Sequence, residues 1–176
     1  MFTLIDWPSA LGVVTVAIAI LAVYIESRRS RFSTMVDLLL RLEDRFHSPE
    51  MKILRAEAAE NTLRGRKDNY ELEMILEELS TVAFLYKRKA IDTKLTYEMF
   101  AYWMDRYWLA GEKYTKNIRK NDPMSYTTLE IVALSFIEKE KKDGYVFSKE
   151  YLTDFLKEEM RHKLRKGVKK STPRLS

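Results

Sequence analysis

The chain has 176 residues, of which five are glycine, four are proline and none is cysteine. Helices tolerate glycine and proline poorly, whereas sandwiches and barrels use both at many turns, so this composition favours an all-α protein; the lack of cysteine excludes disulfides, zinc fingers and thiolate catalysis. The net charge is +5, but the seven basic residues after position 160 leave 31 − 7 = 24 basic against 26 acidic residues elsewhere, so the body of the chain carries no nucleic-acid-binding charge signal.

An apolar segment near the N-terminus has no charged residue from Trp7 to Ile25. About 20 apolar residues span a bilayer as a helix, and Trp7 and Tyr24 stand where aromatic residues prefer the membrane interface. The segment therefore predicts an N-terminal transmembrane anchor over residues 1–27. A cleaved signal peptide is the first alternative, but the segment lacks a basic start and a cleavage site. A buried core helix is the second, and the segment lacks the polar face that such a helix would show.

Three arginines follow the predicted anchor, Arg28, Arg29 and Arg31. Positively charged flanks stay on the cytoplasmic side of a membrane, so these residues set the predicted topology. The sequence predicts a single-pass protein of the bacterial inner (plasma) membrane, with its N-terminus outside and a cytoplasmic helical bundle formed by residues 28–166.

The rest of the chain predicts a stalk followed by a compact bundle of about five further helices. Apolar residues at three- and four-residue spacing continue the first helix to about His47, and Ser48-Pro49-Glu50 starts the second. We predict that Gly65 ends that helix, that Asp92 caps the fourth helix, and that Asp122-Pro123 ends the fourth helix. The last segment, residues 167–176, is predicted to be a basic disordered tail.

Several motifs resemble a known family over residues 30–135. They are the run EDRFHSPEM from Glu43, the run FLYKRKAID from Phe84, and the pairs Tyr102-Trp103 and Tyr107-Trp108. The sequence is similar to a prokaryotic membrane-anchored helical family catalogued as domain of unknown function 4760. The resemblance implies an anchor joined to a helical bundle, and it brings no catalytic residues to transfer.

Candidate metal and catalytic sites are weak. The chain has two histidines, His47 and His162, of which the second is near the tail, and His47 lies one helical turn from Glu43 and Asp44. A di-iron bundle needs Glu-x-x-His on two helices, so we predict no metal and no cofactor, with these acids paired to arginines. The sequence has no glycine-rich phosphate loop and no serine hydrolase motif, and we predict that the protein is not an enzyme. If Asp105 faces inward, it is expected to form a structural ion pair with Arg55 or Arg119.

The fourth helix is rich in aromatic residues, and Trp103, Tyr107 and Trp108 are a candidate partner surface because aromatic side chains anchor interfaces. Packing of these residues in the core is the alternative. The basic C-terminal residues are candidate contacts for anionic lipid or, less favoured, nucleic acid, with a solubilising terminus as the alternative. These residues are Arg161, Lys163, Arg165, Lys166, Lys169 and Lys170.

Two functions follow from these features. The first is an interaction or scaffold module, in which the helical domain presents a surface to a protein partner or to copies of itself. The alternative is a membrane-acting effector or sensor, for example in stress or phage defence, triggered by a ligand or nucleic acid.

Overall fold

The computed structural model describes the backbone of residues 7–169 and the side chains of residue 12 and residues 15–161. Within this part of the chain the fold is all-helical, with seven helices and no strand. The helices are α1 (Trp7–Phe46), α2 (Pro49–Leu63), α3 (Tyr70–Lys87), α4 (Thr93–Ala110), α5 (Glu112–Ile118), α6 (Thr127–Lys142) and α7 (Lys149–Lys169).

Side-chain caps begin four of these helices, α2, α3, α4 and α7. The Ser48 hydroxyl accepts a hydrogen bond from the Met51 amide at 3.1 Å, and the Asp92 carboxylate accepts one from the Leu95 amide at 2.8 Å. Each cap satisfies an amide of the first turn that has no partner within its helix. The predicted helix starts at Ser48 and Asp92 are confirmed.

The predicted fourth helix is divided in two at Gly111. A β-carbon on this residue would lie 2.9 Å from the carbonyl oxygen of Tyr107 and 3.5 Å from a methyl carbon of Leu76. A side chain at this position would crowd the carbonyl of the preceding turn of α4, whereas Leu76 of α3 lies at an ordinary van der Waals distance, and α5 begins after this glycine as a separate short helix. The bundle consequently has one helix more than the spacing of apolar residues predicts.

The core lies between α2, α3, α4 and α6, and both ends of the chain close over it. The C-terminal part of α1 contributes Leu39 and Phe46, which are fully buried, and α7 contributes Phe155 and Leu156. The most extensive packing of α7 is against α2. Residues distant in the sequence thus complete the same core.

The membrane prediction is corrected by this structure. No helix in the described part of the chain is long and apolar enough to cross a membrane. Within the predicted anchor the side chains of residue 12 and of residues 15–27 are described, and all of them are exposed. The remainder of the predicted anchor, residues 1–6 and the side chains of residues 7–11, 13 and 14, lies outside the described residues.

The predictions that depended on the anchor are wrong by the same finding. They are the transmembrane helix itself, the single-pass topology set by Arg28, Arg29 and Arg31, and the inner-membrane location. In the structure these three arginines are exposed on a helix that runs without interruption from Trp7 to Phe46.

Candidate binding pocket

A cavity of about 610 Å³ lies between the loop that joins α2 to α3 and the short helix α5. Leu72 and Ala110 contribute apolar surface to it. Five basic residues also line it, together with one acidic residue, Glu112. The basic residues are Arg66, Lys67, Lys113, Lys116 and Lys120.

The loop wall of the pocket is shaped by Gly65. This residue has φ +67°, and the turn is closed by hydrogen bonds from the Gly65 amide to the Thr62 carbonyl and from the Arg66 amide to the Asn61 carbonyl, both 3.0 Å long. A left-handed glycine after a helix is the usual way to satisfy the last carbonyls and reverse the chain. The reversal places Arg66 and Lys67 at the cavity.

Substitution of Gly65 by alanine is expected to destabilise the domain by about 1–2 kcal/mol, because the left-handed backbone conformation is unfavourable by that amount for a residue with a β-carbon. A new β-carbon there would meet no atom within 4 Å, so the backbone angle is the sole source of the loss. Urea denaturation measures it. Gly12→Ala is the matched control, since Gly12 lies in α1 without a positive φ; equal losses in the two variants would contradict this reading.

The opposite wall comes from α5 and the turn after it. Lys113, Lys116 and Lys120 follow each other at spacings of three and four residues, which places them on one side of a helical segment. The segment is oriented by the break at Gly111. Tyr114 is held by a 2.7 Å hydrogen bond from its hydroxyl to the Glu73 carboxylate. Burial, followed by this bond, raises the pKa of Tyr114, so its phenol is neutral near pH 7.

The positive charge of the pocket is only partly compensated. Lys116 forms an ion pair with Glu112 at 2.7 Å, and the Lys120 ammonium donates to the Asn117 side chain at 3.3 Å. Among the described residues, the side chains of Arg66, Lys67 and Lys113 make no hydrogen bond or ion pair with one another or with other groups. Four cations, these three and Lys120, therefore face one cavity without an acidic partner, an arrangement that favours an anion.

A second polar cluster is buried and closed. Arg55 and Glu159 are 1% and 3% exposed, and their Nε and Oε2 atoms are 3.0 Å apart. The Tyr107 hydroxyl donates to the same Glu159 oxygen at 2.6 Å. The Arg55 guanidinium also packs on the rings of Phe46 and Trp103, at 4.9 and 4.3 Å from their centres. This cluster joins α1, α2, α4 and α7 and has no surface open to a ligand.

A third cluster contains two acids and one arginine. The Arg106 guanidinium donates to Asp105 at 2.8 Å and to the Tyr102 carbonyl at 3.0 Å, and it also contacts the Tyr151 hydroxyl. Burial raises the pKa of Asp105 to about 8; Arg106 opposes this shift and a hydrogen bond with Glu140 adds to it. The partner predicted for Asp105, either Arg55 or Arg119, is wrong, because the adjacent Arg106 takes that place.

The aromatic residues singled out in the sequence lie mostly inside the bundle. Tyr107 is fully buried and Trp108 is 5% exposed, so neither offers a partner surface in this structure. Trp103 is half-buried between Phe46, His47 and Phe155. The alternative of core packing is the arrangement found for Tyr107 and Trp108.

The predicted C-terminal contacts are described only in part. Arg161 is exposed on α7. Lys163, Arg165, Lys166 and Lys169 belong to the backbone of α7, but their side chains lie outside the described residues, as does Lys170 entirely. The helix itself continues through Gly167 to Lys169.

His47, the histidine considered as a metal ligand, contacts one carboxylate and not a set of ligands. His47 Nε2 lies 3.7 Å from Glu43, and burial, followed by the charge of Arg55, lowers the pKa of His47. In the described part of the chain no three acidic or histidine side chains gather in a metal-binding arrangement.

Fold and pocket together define an all-helical bundle domain with a cationic cavity on one side. The chain belongs to the family described as Domain of unknown function (DUF4760), whose family model matches residues 9–136. No curated protein and no solved structure matches the chain. The pocket, formed between Thr62 and Lys120, lies wholly within the matched segment, whereas α7 lies beyond it.

Sequence reasoning did not identify the pocket. In the sequence, the two cations after Gly65 are typical of an ordinary polar loop. The lysines of α5 are typical of the solvent-exposed side of an aromatic helix. The available signal was a glycine-terminated helix followed at once by Arg66 and Lys67, together with lysines recurring on one side of residues 113–120. Nothing in the sequence indicates that the two groups meet.

Proposed function

We propose that this domain is a non-catalytic interaction module that binds an anionic ligand in the cationic pocket. The observation that supports it is the convergence of Arg66, Lys67 and Lys113, all without acidic partners, on one cavity with apolar surface. Binding sites for small molecules commonly combine an apolar lining with a few charged groups in such a volume. The interaction module predicted from the sequence thereby acquires a ligand site.

The acidic side chains near the pocket support binding over catalysis. A general base needs a free carboxylate or imidazole within hydrogen-bond reach of the reacting group. Glu112 is paired with Lys116, and Glu73 accepts the Tyr114 hydroxyl. Both carboxylates are thus occupied in positioning the wall of the pocket.

Charge reversal of the pocket tests this function. Titration calorimetry with inorganic pyrophosphate should detect binding to the full chain, and Lys67→Glu with Lys113→Glu should weaken it by at least about tenfold, since 1.4 kcal/mol corresponds to that factor. Lys94→Glu with Lys141→Glu is the matched control, because both lysines are exposed elsewhere on the bundle. Absence of binding to the unaltered chain, or an equal loss in the control, would refute the pocket as an anion site.

A second candidate function, self-association, is favoured by the apolar pattern of α1. Residues 18, 21, 25, 28, 32, 35, 39, 42 and 46 alternate at spacings of three and four, which is the repeat of a coiled-coil seam. The C-terminal part of this seam is buried in the bundle. Its N-terminal part is more than half exposed, at Ile18, Leu21, Ile25 and Phe32, with Arg28 among them. We propose that the α1 helix of a second copy covers this exposed part of the seam.

The mass of the chain in solution tests self-association. Size-exclusion chromatography with light scattering should give a dimer or higher oligomer at tens of micromolar, and Ile18→Glu with Ile25→Glu should shift it to a monomer. Ile20→Glu with Val23→Glu changes residues that are equally exposed but lie off the seam, and these should leave the oligomer intact. A monomeric unaltered chain, or equal dissociation by both pairs of substitutions, would refute the seam.

A further inference from the structure

We infer that the ligand of the pocket is a small organic diphosphate, of the nucleoside diphosphate class, an inference that rests on the proposed anion-binding function. Three features of the cavity carry it: the number of cations without an acidic partner, their position on two walls of the cavity, and a volume with apolar surface beside the charges.

The cations specify the charge of the ligand. Of the five basic side chains, only Lys116 is paired with a carboxylate, that of Glu112, so four cations have no acidic partner; Lys120 donates to the neutral Asn117 amide and keeps its charge. A terminal phosphate carries about −1.5 to −2 near pH 7, because its second pKa is about 6, and an inner phosphate adds one further charge. A diphosphate ester thus brings about three negative charges to these four cations, whereas a monophosphate leaves at least two of them without a counter-charge.

The two-sided arrangement of these cations also suits two phosphates. Arg66 and Lys67 come from the loop after α2, and Lys113 comes from α5 on the opposite wall. Arginine offers a planar pair of donors suited to phosphate oxygens, and lysine acts as a point charge. Phosphates bound between the walls would receive charge from both sides.

The rest of the cavity suits an organic group. Its volume of about 610 Å³ exceeds what a bare diphosphate needs and falls in the range of about 300–1,000 Å³ typical of small-molecule sites. Leu72 and Ala110 supply apolar surface, and Tyr114 supplies a phenol that stays neutral. A planar, largely apolar base fits beside these residues, and a nucleoside diphosphate carries such a base together with the required charge.

Titration calorimetry with four probes tests the inference: ADP, AMP, inorganic pyrophosphate and adenosine, against the full chain in buffer without divalent cations. We expect ADP to bind at least about tenfold more tightly than AMP and than pyrophosphate, with adenosine weakest. Equal affinity for AMP and ADP would overturn the charge argument. Equal affinity for pyrophosphate and ADP would overturn the inference that the cavity binds an organic group beside the phosphates.

Substitution separates this inference from the proposed function. Lys113→Gln should reduce the affinity for ADP by about tenfold, whereas Lys94→Gln, in an exposed position on α4, should not change it. Circular dichroism confirms that each variant is folded. If none of the phosphate probes binds, the anion-binding function itself fails; if pyrophosphate binds but ADP has no advantage, only the diphosphate class of ligand fails.

Discussion

Replacing Glu159 with alanine is expected to lower the free energy of unfolding by about 3–5 kcal/mol, because removal of one partner leaves the other as an uncompensated buried charge. Arg55 is 1% exposed, and its Nη1 atom already lacks a hydrogen-bond partner. The same substitution removes the acceptor of the buried Tyr107 hydroxyl. Urea denaturation followed by circular dichroism measures the change.

Two further variants show whether charge is the cause. Glu158→Ala lies next along α7 but is exposed, and it should change stability by no more than about 0.5 kcal/mol. The triple variant Arg55→Met, Tyr107→Phe and Glu159→Leu removes the charge pair and the unpaired hydroxyl together, and it should recover most of the loss, since apolar replacement of a buried pair is often neutral. A loss of less than 1 kcal/mol in Glu159→Ala would contradict a stabilising role for the pair.

Stability is expected to fall as pH rises from about 4 to about 8 because of Asp105. The ordinary pKa of this carboxyl is 3.8, and burial raises it to about 8 in the folded chain. Between these values the folded state holds a proton that the unfolded state has released, so each pH unit costs the folded state up to about 1.4 kcal/mol. Below pH 3.8 Asp105 is protonated in both the folded and the unfolded state, and above about pH 8 it is ionised in both. The effect of Asp105 on stability is therefore confined to the pH range between these two values.

Substitution of Asp105 by asparagine isolates this effect. Asparagine has nearly the same shape, stays neutral at every pH and can donate a hydrogen bond towards Glu140, as the protonated acid does. The free energy of unfolding of this variant should not fall with rising pH, and the variant should be more stable than the unaltered chain at pH 8. Denaturation at pH 5, 6, 7 and 8 measures both slopes. Asp154→Asn, a 74% exposed carboxyl on α7, is the control and should retain the original slope; parallel profiles for Asp105→Asn and the unaltered chain would exclude Asp105 as the source.

The two clusters also explain why α7 belongs to the domain although the family model ends at residue 136. Arg55 and Arg106 lie inside the matched segment. Their partners Glu159 and Tyr151 lie on α7, outside it. A bundle without α7 would leave both arginines with fewer polar contacts and would uncover the side of the core that Phe155 and Leu156 close.

The local features of the chain were predictable because each is decided by neighbouring residues. Scarce glycine and proline indicated helices, Ser48 and Asp92 marked helix starts, and Gly65 marked a helix end; the structure has all of them. The break at Gly111 was missed because the spacing of apolar residues continues across this glycine and predicts one helix.

The sequence by itself determined the helical class, most helix boundaries and the family. The tertiary structure alone decided the rest, since distances between side chains far apart in the sequence depend on how the helices pack. It placed Tyr107 in the core, joined Arg55 to Glu159 across more than 100 residues, and brought Arg66 and Lys67 to face Lys113. It also corrected the membrane anchor, because no helix in the described part of the chain is long and apolar enough to cross a membrane.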